Sequence, residues 1–91
     1  MNAYKREIQV IETSIYKAHK YGYRIQLGAT FVDSASRTCC PMGAVMMFGN
    51  YQYFSPEFVK GFIKGFDNQS PSRLLNGQED GYMLGRMFKD S

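Results

Sequence analysis

Two pairs of glycines in the second half of the chain constrain its fold more than any other feature. Gly61 and Gly65 are four residues apart in one predicted helix, and Gly81 and Gly85 are four residues apart in the next. A glycine inside a helix costs about 1 kcal/mol relative to alanine, so four of them cost about 4 kcal/mol, a large share of a small domain's stability. The spacing predicts that the two helix backbones approach closely, with aromatic rings beside them. The alternative is that some of these glycines lie at helix ends or kinks.

Start and stop signals frame both helices. The first begins at Ser55-Pro56, where a capping serine precedes a proline, and it ends near Asp67. The second carries its apolar face to about Lys89.

An amphipathic helix is predicted over residues 3–21 at the other end of the chain. Asn2 is the predicted N-cap, and Gly22 stands where a left-handed residue ends a helix. The apolar residues recur at spacings of four and three, which places them on one stripe: Tyr4, Ile8, Ile11, Ile15 and Ala18.

The apolar period changes to two over residues 23–32, which predicts a half-buried strand with Gly28 as a bulge or close-approach point. A polar turn over residues 33–36 leads into a short return strand over residues 37–39, so a two-stranded hairpin is expected. Pro41 then favours a short helix that ends before Gly49. An extended strand over Ala44–Phe48 is the alternative.

These elements predict an α+β fold that is mostly helical, in one small domain over residues 1–91. Its expected order is a long N-terminal helix, a two-stranded β-hairpin, a short helix and two closely packed C-terminal helices. A lone hairpin is marginally stable, so the hairpin is expected to pack against helices.

Charge is spread unevenly along the chain. The sequence has 11 Lys and Arg residues against 8 Asp and Glu residues, a net charge of +3 and an isoelectric point near 9.0. Residues 1–45 hold six basic and three acidic groups, whereas residues 46–91 hold five of each. Nucleic-acid binders usually concentrate more positive charge, so only weak attraction to polyanions is expected.

The sequence also leads to expectations about the cellular compartment and the oligomeric state of the protein. Two adjacent cysteines do not make a disulfide scaffold, no signal-peptide pattern opens the sequence, and no apolar run is long enough to span a bilayer. We therefore expect a cytoplasmic protein that has no membrane partner. Seven tyrosines, seven phenylalanines and six methionines in 91 residues favour a homodimer.

The adjacent thiols are the first place to look for reactivity. A Cys40 thiol at the start of a helix would have its pKa lowered by the helix dipole. Catalysis also needs a base, and nothing in the sequence brings His19, the one histidine, to Cys40. Packing is the favoured role of Cys39 and Cys40, because free cysteines are mostly buried. The sequence also lacks zinc-ligand spacing and hydrolase, kinase or phosphate-loop motifs, so we expect no enzymatic activity, metal or cofactor.

Two aromatic clusters are candidate binding sites. The first is basic and could hold phosphates while its rings stack on bases, although a helix C-terminus with favourable lysines explains it as well. Its residues are Lys17, Lys20, Tyr21, Tyr23 and Arg24. The second combines tyrosines, which are enriched at interfaces, with adaptable methionines, and a role in covering the core is its alternative. Its residues are Met46, Met47, Tyr51 and Tyr53.

A stretch of about 18 residues resembles a known pattern. Gly28–Asp33, a polar turn and Cys39–Val45 are similar to small uncharacterised bacterial and phage domains, in which a hairpin feeds a Cys-Ala-Leu-Gly-Ala-Leu helix start. The chain departs from that pattern with Pro41 and Met42 in place of Ala and Leu. The resemblance supports a helix after Pro41 and implies no activity or functional residue.

The leading hypothesis from the sequence is a small non-enzymatic binding or regulatory module that recognises a protein partner or a small ligand. A compact regulator encoded by a phage or another mobile element fits this description. The alternative hypothesis is nucleic-acid or nucleotide binding through the basic cluster.

Overall fold

The N-terminal helix is the longest element of the protein. In the computed structural model, which describes residues 4–26 and 31–90, helix α1 covers Lys5–Lys20. Ile11 and Ala18, on the predicted apolar stripe, are fully buried. The helix stops where predicted because Gly22 has a φ of +88°, a left-handed conformation that glycine adopts without steric cost. The predicted N-cap Asn2 lies outside the described residues.

The sheet that follows has three short strands among the described residues. Strand β1 is Arg24–Ile25, β2 is Val32–Asp33 and β3 is Thr38–Cys39, in the spatial order β1-β3-β2. β2 and β3 form an antiparallel hairpin, while β1 pairs in parallel with the other edge of β3. The single strand predicted over residues 23–32 is wrong, because its two ends belong to separate strands on opposite edges of β3. The expectation of only two strands is therefore wrong, because apolar alternation predicts which face is buried but not which neighbour a strand pairs with. The predicted bulge at Gly28 lies outside the described residues.

A short helix follows the sheet and confirms the helical reading of this segment. Helix α2 covers Pro41–Phe48, and its N-cap Cys40 accepts a hydrogen bond at Sγ from the Gly43 amide at 3.4 Å. α1, the sheet and α2 share one apolar cluster, so the hairpin packs against helices as expected. Its buried members are Ala18, Cys39 and Ala44, with Ile15, Tyr23, Ile25, Val32, Met47 and Phe48 packed around them.

Two further helices form the second half of the chain. Helix α3 covers Pro56–Phe66 and α4 covers Glu79–Asp90. The Ser55 hydroxyl caps α3 as predicted by accepting a hydrogen bond from the Phe58 amide at 3.1 Å. Contacts along the chain group it into two compact units, Met1–Tyr51 with α1, the sheet and α2, and Gln52–Ser91 with α3 and α4. The mostly helical α+β class is confirmed.

The four helix glycines lie where α3 and α4 meet. A Cβ on any of them would overlap a backbone carbonyl oxygen of the facing segment: Gln78 at Gly61, Tyr82 at Gly65, Phe58 at Gly81 and Phe62 at Gly85. Gly61 and Gly85 lie inside their helices, whereas Gly65 lies in the last turn of α3 and Gly81 in the first turn of α4. The predicted close approach of the two backbones is confirmed at all four glycines, including the two in terminal turns, so their position near helix ends does not replace the contact as the explanation.

Aromatic rings fill the space beside the glycines. The Phe62 side chain is fully buried, and its ring centroid lies 6.3 Å from that of Phe66 and 5.6 Å from that of Phe88. Such ring pairs contribute about 0.5–1.5 kcal/mol each beyond the apolar area that they bury. The close contact at the four glycines and the packing of the rings together offset the low helix propensity that these glycines give to α3 and α4.

A buried glutamine joins the beginnings of the two helices. Gln78 accepts at Oε1 from Lys64 Nζ at 2.7 Å and from the Leu75 amide at 3.0 Å. Its Nε2 donates to Glu57 Oε1 at 2.9 Å, and this hydrogen bond is the main reason that the pKa of the Glu57 carboxyl is lowered. Every polar atom of the Gln78 amide group therefore has a partner, as a buried amide requires.

Gln78→Glu is expected to lower the free energy of unfolding by about 1–3 kcal/mol at neutral pH, because a carboxylate replaces the amide donor that faces Glu57. The double variant Glu57→Gln/Gln78→Glu restores a donor opposite the new carboxylate and is expected to regain most of the loss. Urea unfolding of the three proteins measures both effects. Equal stability of the single and double variants would contradict the hydrogen-bond arrangement.

Candidate functional site

A cleft of about 480 Å³ lies in the first unit, between α1 and the end of α2. Gln9, Thr13 and Lys17 are spaced by four residues and so share one line along α1. Val10 and Ser14 lie on the adjacent line, and residues 48–50 supply the opposite wall. The volume falls in the range of pockets that hold small molecules.

Gly49 allows the end of α2 to approach α1 in this cleft. A Cβ on Gly49 would overlap the Ser14 Oγ. The Ser14 hydroxyl itself is buried and donates to the Val10 carbonyl oxygen at 2.8 Å, so it is already engaged. The lack of a side chain at Gly49 therefore lets the two walls approach each other. The buried Ser14 hydroxyl still has a hydrogen-bond partner, as a buried polar group requires.

Four polar side chains that line the cleft have no partner in the part of the chain that the structure describes. They are Gln9, Thr13, Lys17 and Asn50, all exposed, and within the described residues none of their side chains makes a hydrogen bond or an ion pair. Each carries a hydrogen-bond donor. The walls of the cleft therefore carry four donors that are not used by other described residues.

The apolar part of the cleft includes an aromatic ring that is held in place. The Phe48 ring stacks on the Tyr21 ring, with centroids 5.1 Å apart and planes inclined by 14°. Val10 is the aliphatic member of the lining. A fixed ring with donors nearby suits a ligand that has both a flat apolar part and polar groups.

The basic cluster predicted from the sequence is divided by the structure. Lys17 lines the cleft, and Tyr21 contacts the cleft ring Phe48. Lys20 and Arg24 are exposed but do not line it. Tyr23 packs against the apolar cluster of the first unit, with the Arg37 guanidinium 5.5 Å from its ring centroid. The structure thus brings only Lys17 and Tyr21 to the cleft.

The second predicted cluster belongs to two units. Met46 is 43% exposed on α2, while Met47 packs against the core of the first unit. Tyr51 is half-buried, with its ring edge-on to that of Phe31. Tyr53, in the second unit, is 40% exposed. Binding through these residues stays a prediction.

Of the eight residues that line the cleft, only Lys17 was predicted as a site residue, and the seven that were missed include the Phe48 ring and three donor side chains. Gln9 and Thr13 could have been found, because they continue the helical line of Lys17 beside the apolar stripe of α1. Asn50 gives no such signal, since its place in the cleft depends on how the end of α2 packs against α1.

The two cysteines lie in an environment typical of packing. Cys39 is fully buried and Cys40 is 5% exposed. Burial, with a smaller effect of the neighbouring Cys40, raises the pKa of the Cys39 thiol to about 11, which is opposite to thiol activation. Within the described residues, no group of three or more His, Cys, Asp or Glu side chains could hold a metal ion.

The raised pKa of Cys39 predicts a loss of stability at alkaline pH. The folded protein holds the thiol proton more tightly than the unfolded chain, so this contribution is complete below the ordinary thiol pKa of 9.0 and is lost as pH rises through about 11. The loss from Cys39 is expected to be about 2 kcal/mol. Urea unfolding from pH 8 to 11 measures it, with Cys39→Ala as the control that should lose less stability over this range. Identical pH profiles of the two proteins would contradict the prediction.

The fold and the cleft define a small, mostly helical α+β protein with a candidate small-molecule site in its first unit. None of the described helices is long and apolar enough to cross a membrane. Comparisons of the chain with known protein families, curated proteins and solved structures found no match.

Proposed function

We propose that this protein is a non-enzymatic binding module that holds a small ligand in the cleft between α1 and the end of α2. The observation that carries the proposal is the set of unengaged donor side chains around the Phe48 ring. Small-molecule sites combine an apolar surface with a few polar groups, and the cleft supplies both, with Val10 and Phe48 beside the donor side chains. The proposal also includes a regulatory role for the protein, its location in the cytoplasm and its encoding by a phage or another mobile element.

The surroundings of the two cysteine thiols support a non-enzymatic role. A nucleophilic cysteine needs a lowered pKa and access to substrate, whereas Cys39 is fully buried and has a raised pKa. Cys40 uses its sulfur to cap α2. These roles are structural, so binding is the simpler account of the first unit.

A fragment screen by ¹H–¹⁵N NMR tests the proposal on the intact protein. Fragments that bind are expected to shift the amide signals of cleft residues such as Thr13, Lys17 and Asn50. Thr13→Phe places a ring in the cleft with little change in helix propensity and is expected to remove these shifts. His19→Phe, an exposed α1 position outside the cleft, is the matched control and is expected to keep them. Binding that Thr13→Phe leaves intact would overturn the proposal.

A protein partner is the other form of the same hypothesis. It would use Met46, Met47 and Tyr51 in the first unit or Tyr53 in the second, and of these Met46 and Tyr53 are substantially exposed. Loss of partner binding in Met46→Ser and Tyr53→Ser, with retention in Thr13→Phe, would favour it over the cleft. Sedimentation equilibrium tests the homodimer that the sequence favours.

Nucleic-acid binding is a second candidate function because Lys17, Lys20 and Arg24 are exposed and make no ion pair within the described residues. Three phosphate contacts to a single strand would give weak binding, with log K falling against log salt concentration with a slope of about −2. A salt titration with a single-stranded oligonucleotide compares Lys17→Ala/Lys20→Ala/Arg24→Ala with the control Lys60→Ala/Arg73→Ala. Equal affinity of the two variants would exclude this cluster as a phosphate-binding site.

A further inference from the structure

The charge of the cleft is set by one side chain. Of the eight residues that line it, Lys17 is the only one with an ionisable side chain. Lys17 makes no ion pair with any described residue, so its charge is not neutralised within the described part of the protein. A positively charged ligand would be repelled from this cleft, whereas an anion would gain a charge-assisted hydrogen bond.

The unit that contains the cleft also carries the whole net charge of the chain. Residues 1–51 hold six lysines and arginines against three acids, and residues 52–91 hold five of each. The surrounding potential therefore has the same sign as Lys17 and raises the local concentration of anions. Charge in the cleft and charge around it favour the same ligand class.

The neutral groups in the cleft further define the class of ligand that it can bind. Gln9, Thr13 and Asn50 supply donors that can share the oxygens of an anionic group with Lys17. Phe48 supplies the aromatic part of the lining, against which a flat ring can pack. We infer that the cleft takes a small anion in which a carboxylate or phosphate group is attached to a flat apolar ring. This inference rests on the proposed function and specifies its ligand class.

Three naphthalene compounds test the inference: naphthyl phosphate, naphthoate and the neutral naphthylmethanol. Calorimetric titration of the intact protein is expected to show both anions binding at least about tenfold more tightly than the neutral compound. The two anions distinguish phosphate from carboxylate recognition. Lys17→Met is expected to remove the preference for anions, while the control Lys60→Met, an exposed lysine of the second unit, is expected to keep it.

The possible failures are distinguishable. If naphthylmethanol binds in the cleft as tightly as the anions, the ligand class is wrong and the proposed function stands. If Lys17→Met and Lys60→Met lose anion affinity equally, the anion binds outside the cleft and the inference is overturned. If none of the three compounds binds, the inference is overturned, and the fragment screen with Thr13→Phe decides the proposed function separately.

Discussion

Gly61→Ala/Gly65→Ala is expected to lower the free energy of unfolding by about 2–4 kcal/mol, although alanine is the better helix former. Helix propensity alone predicts the opposite, a gain of about 1 kcal/mol at each position. The new Cβ atoms, however, would overlap the backbone carbonyl oxygens of Gln78 and Tyr82. Backbone atoms cannot rotate away as a side chain can, so α3 and α4 must separate and lose packing along their contact.

Urea unfolding followed by far-ultraviolet circular dichroism measures this effect. Met83→Ala, at a position of α4 that is 57% exposed, is the control and is expected to change stability by less than about 0.5 kcal/mol. Gly81→Ala is expected to behave like the variants in α3, because its Cβ would overlap the Phe58 carbonyl oxygen. A glycine variant that is as stable as the natural protein would contradict the backbone contact.

Phe62→Ala is expected to lower the free energy of unfolding by about 3–5 kcal/mol. The side chain is fully buried, and its removal would leave a cavity beside the rings of Phe66 and Phe88. For a chain of this length the loss corresponds to a fall in Tm of roughly 15–30 °C. The cost is a large share of the stability of a small domain, so much of the variant is expected to be unfolded near physiological temperature.

Differential scanning calorimetry measures the change in Tm for Phe62→Ala. Phe62→Leu keeps most of the buried volume and is expected to lose much less stability. Leu75→Ala removes an apolar side chain that is 63% exposed and is expected to have almost no effect. A similar fall in Tm for Phe62→Ala and Leu75→Ala would contradict the position of Phe62 in the core.

The helices could be predicted from the sequence because their signals are local. Ser55 precedes Pro56 at the start of α3, and Gly22 follows the last turn of α1 with the left-handed φ that such a position favours. The contact between α3 and α4 could also be predicted, although it is not local. Four costly glycines at matched spacing have few explanations other than close approach.

The sheet and the cleft could be predicted only in part. A two-residue strand such as β1 has too few residues for a periodic pattern, and its pairing with β3 depends on contacts distant in sequence. Lys17 was identified for its charge, but its association with Phe48 and Asn50 depends on the packing of α2 against α1. That packing is a tertiary property, with Gly49 close to Ser14, and no short sequence window contains it.

The central claim is that the first unit has a built binding site. A crystal structure of the protein with the tightest-binding fragment tests this claim most directly. We expect the fragment to lie between Val10 and Phe48, with a polar group within hydrogen-bond distance of Lys17 Nζ or Asn50 Nδ2. A fragment that lies instead on the exposed methionines of α4, Met83 and Met87, with the cleft empty, would contradict it.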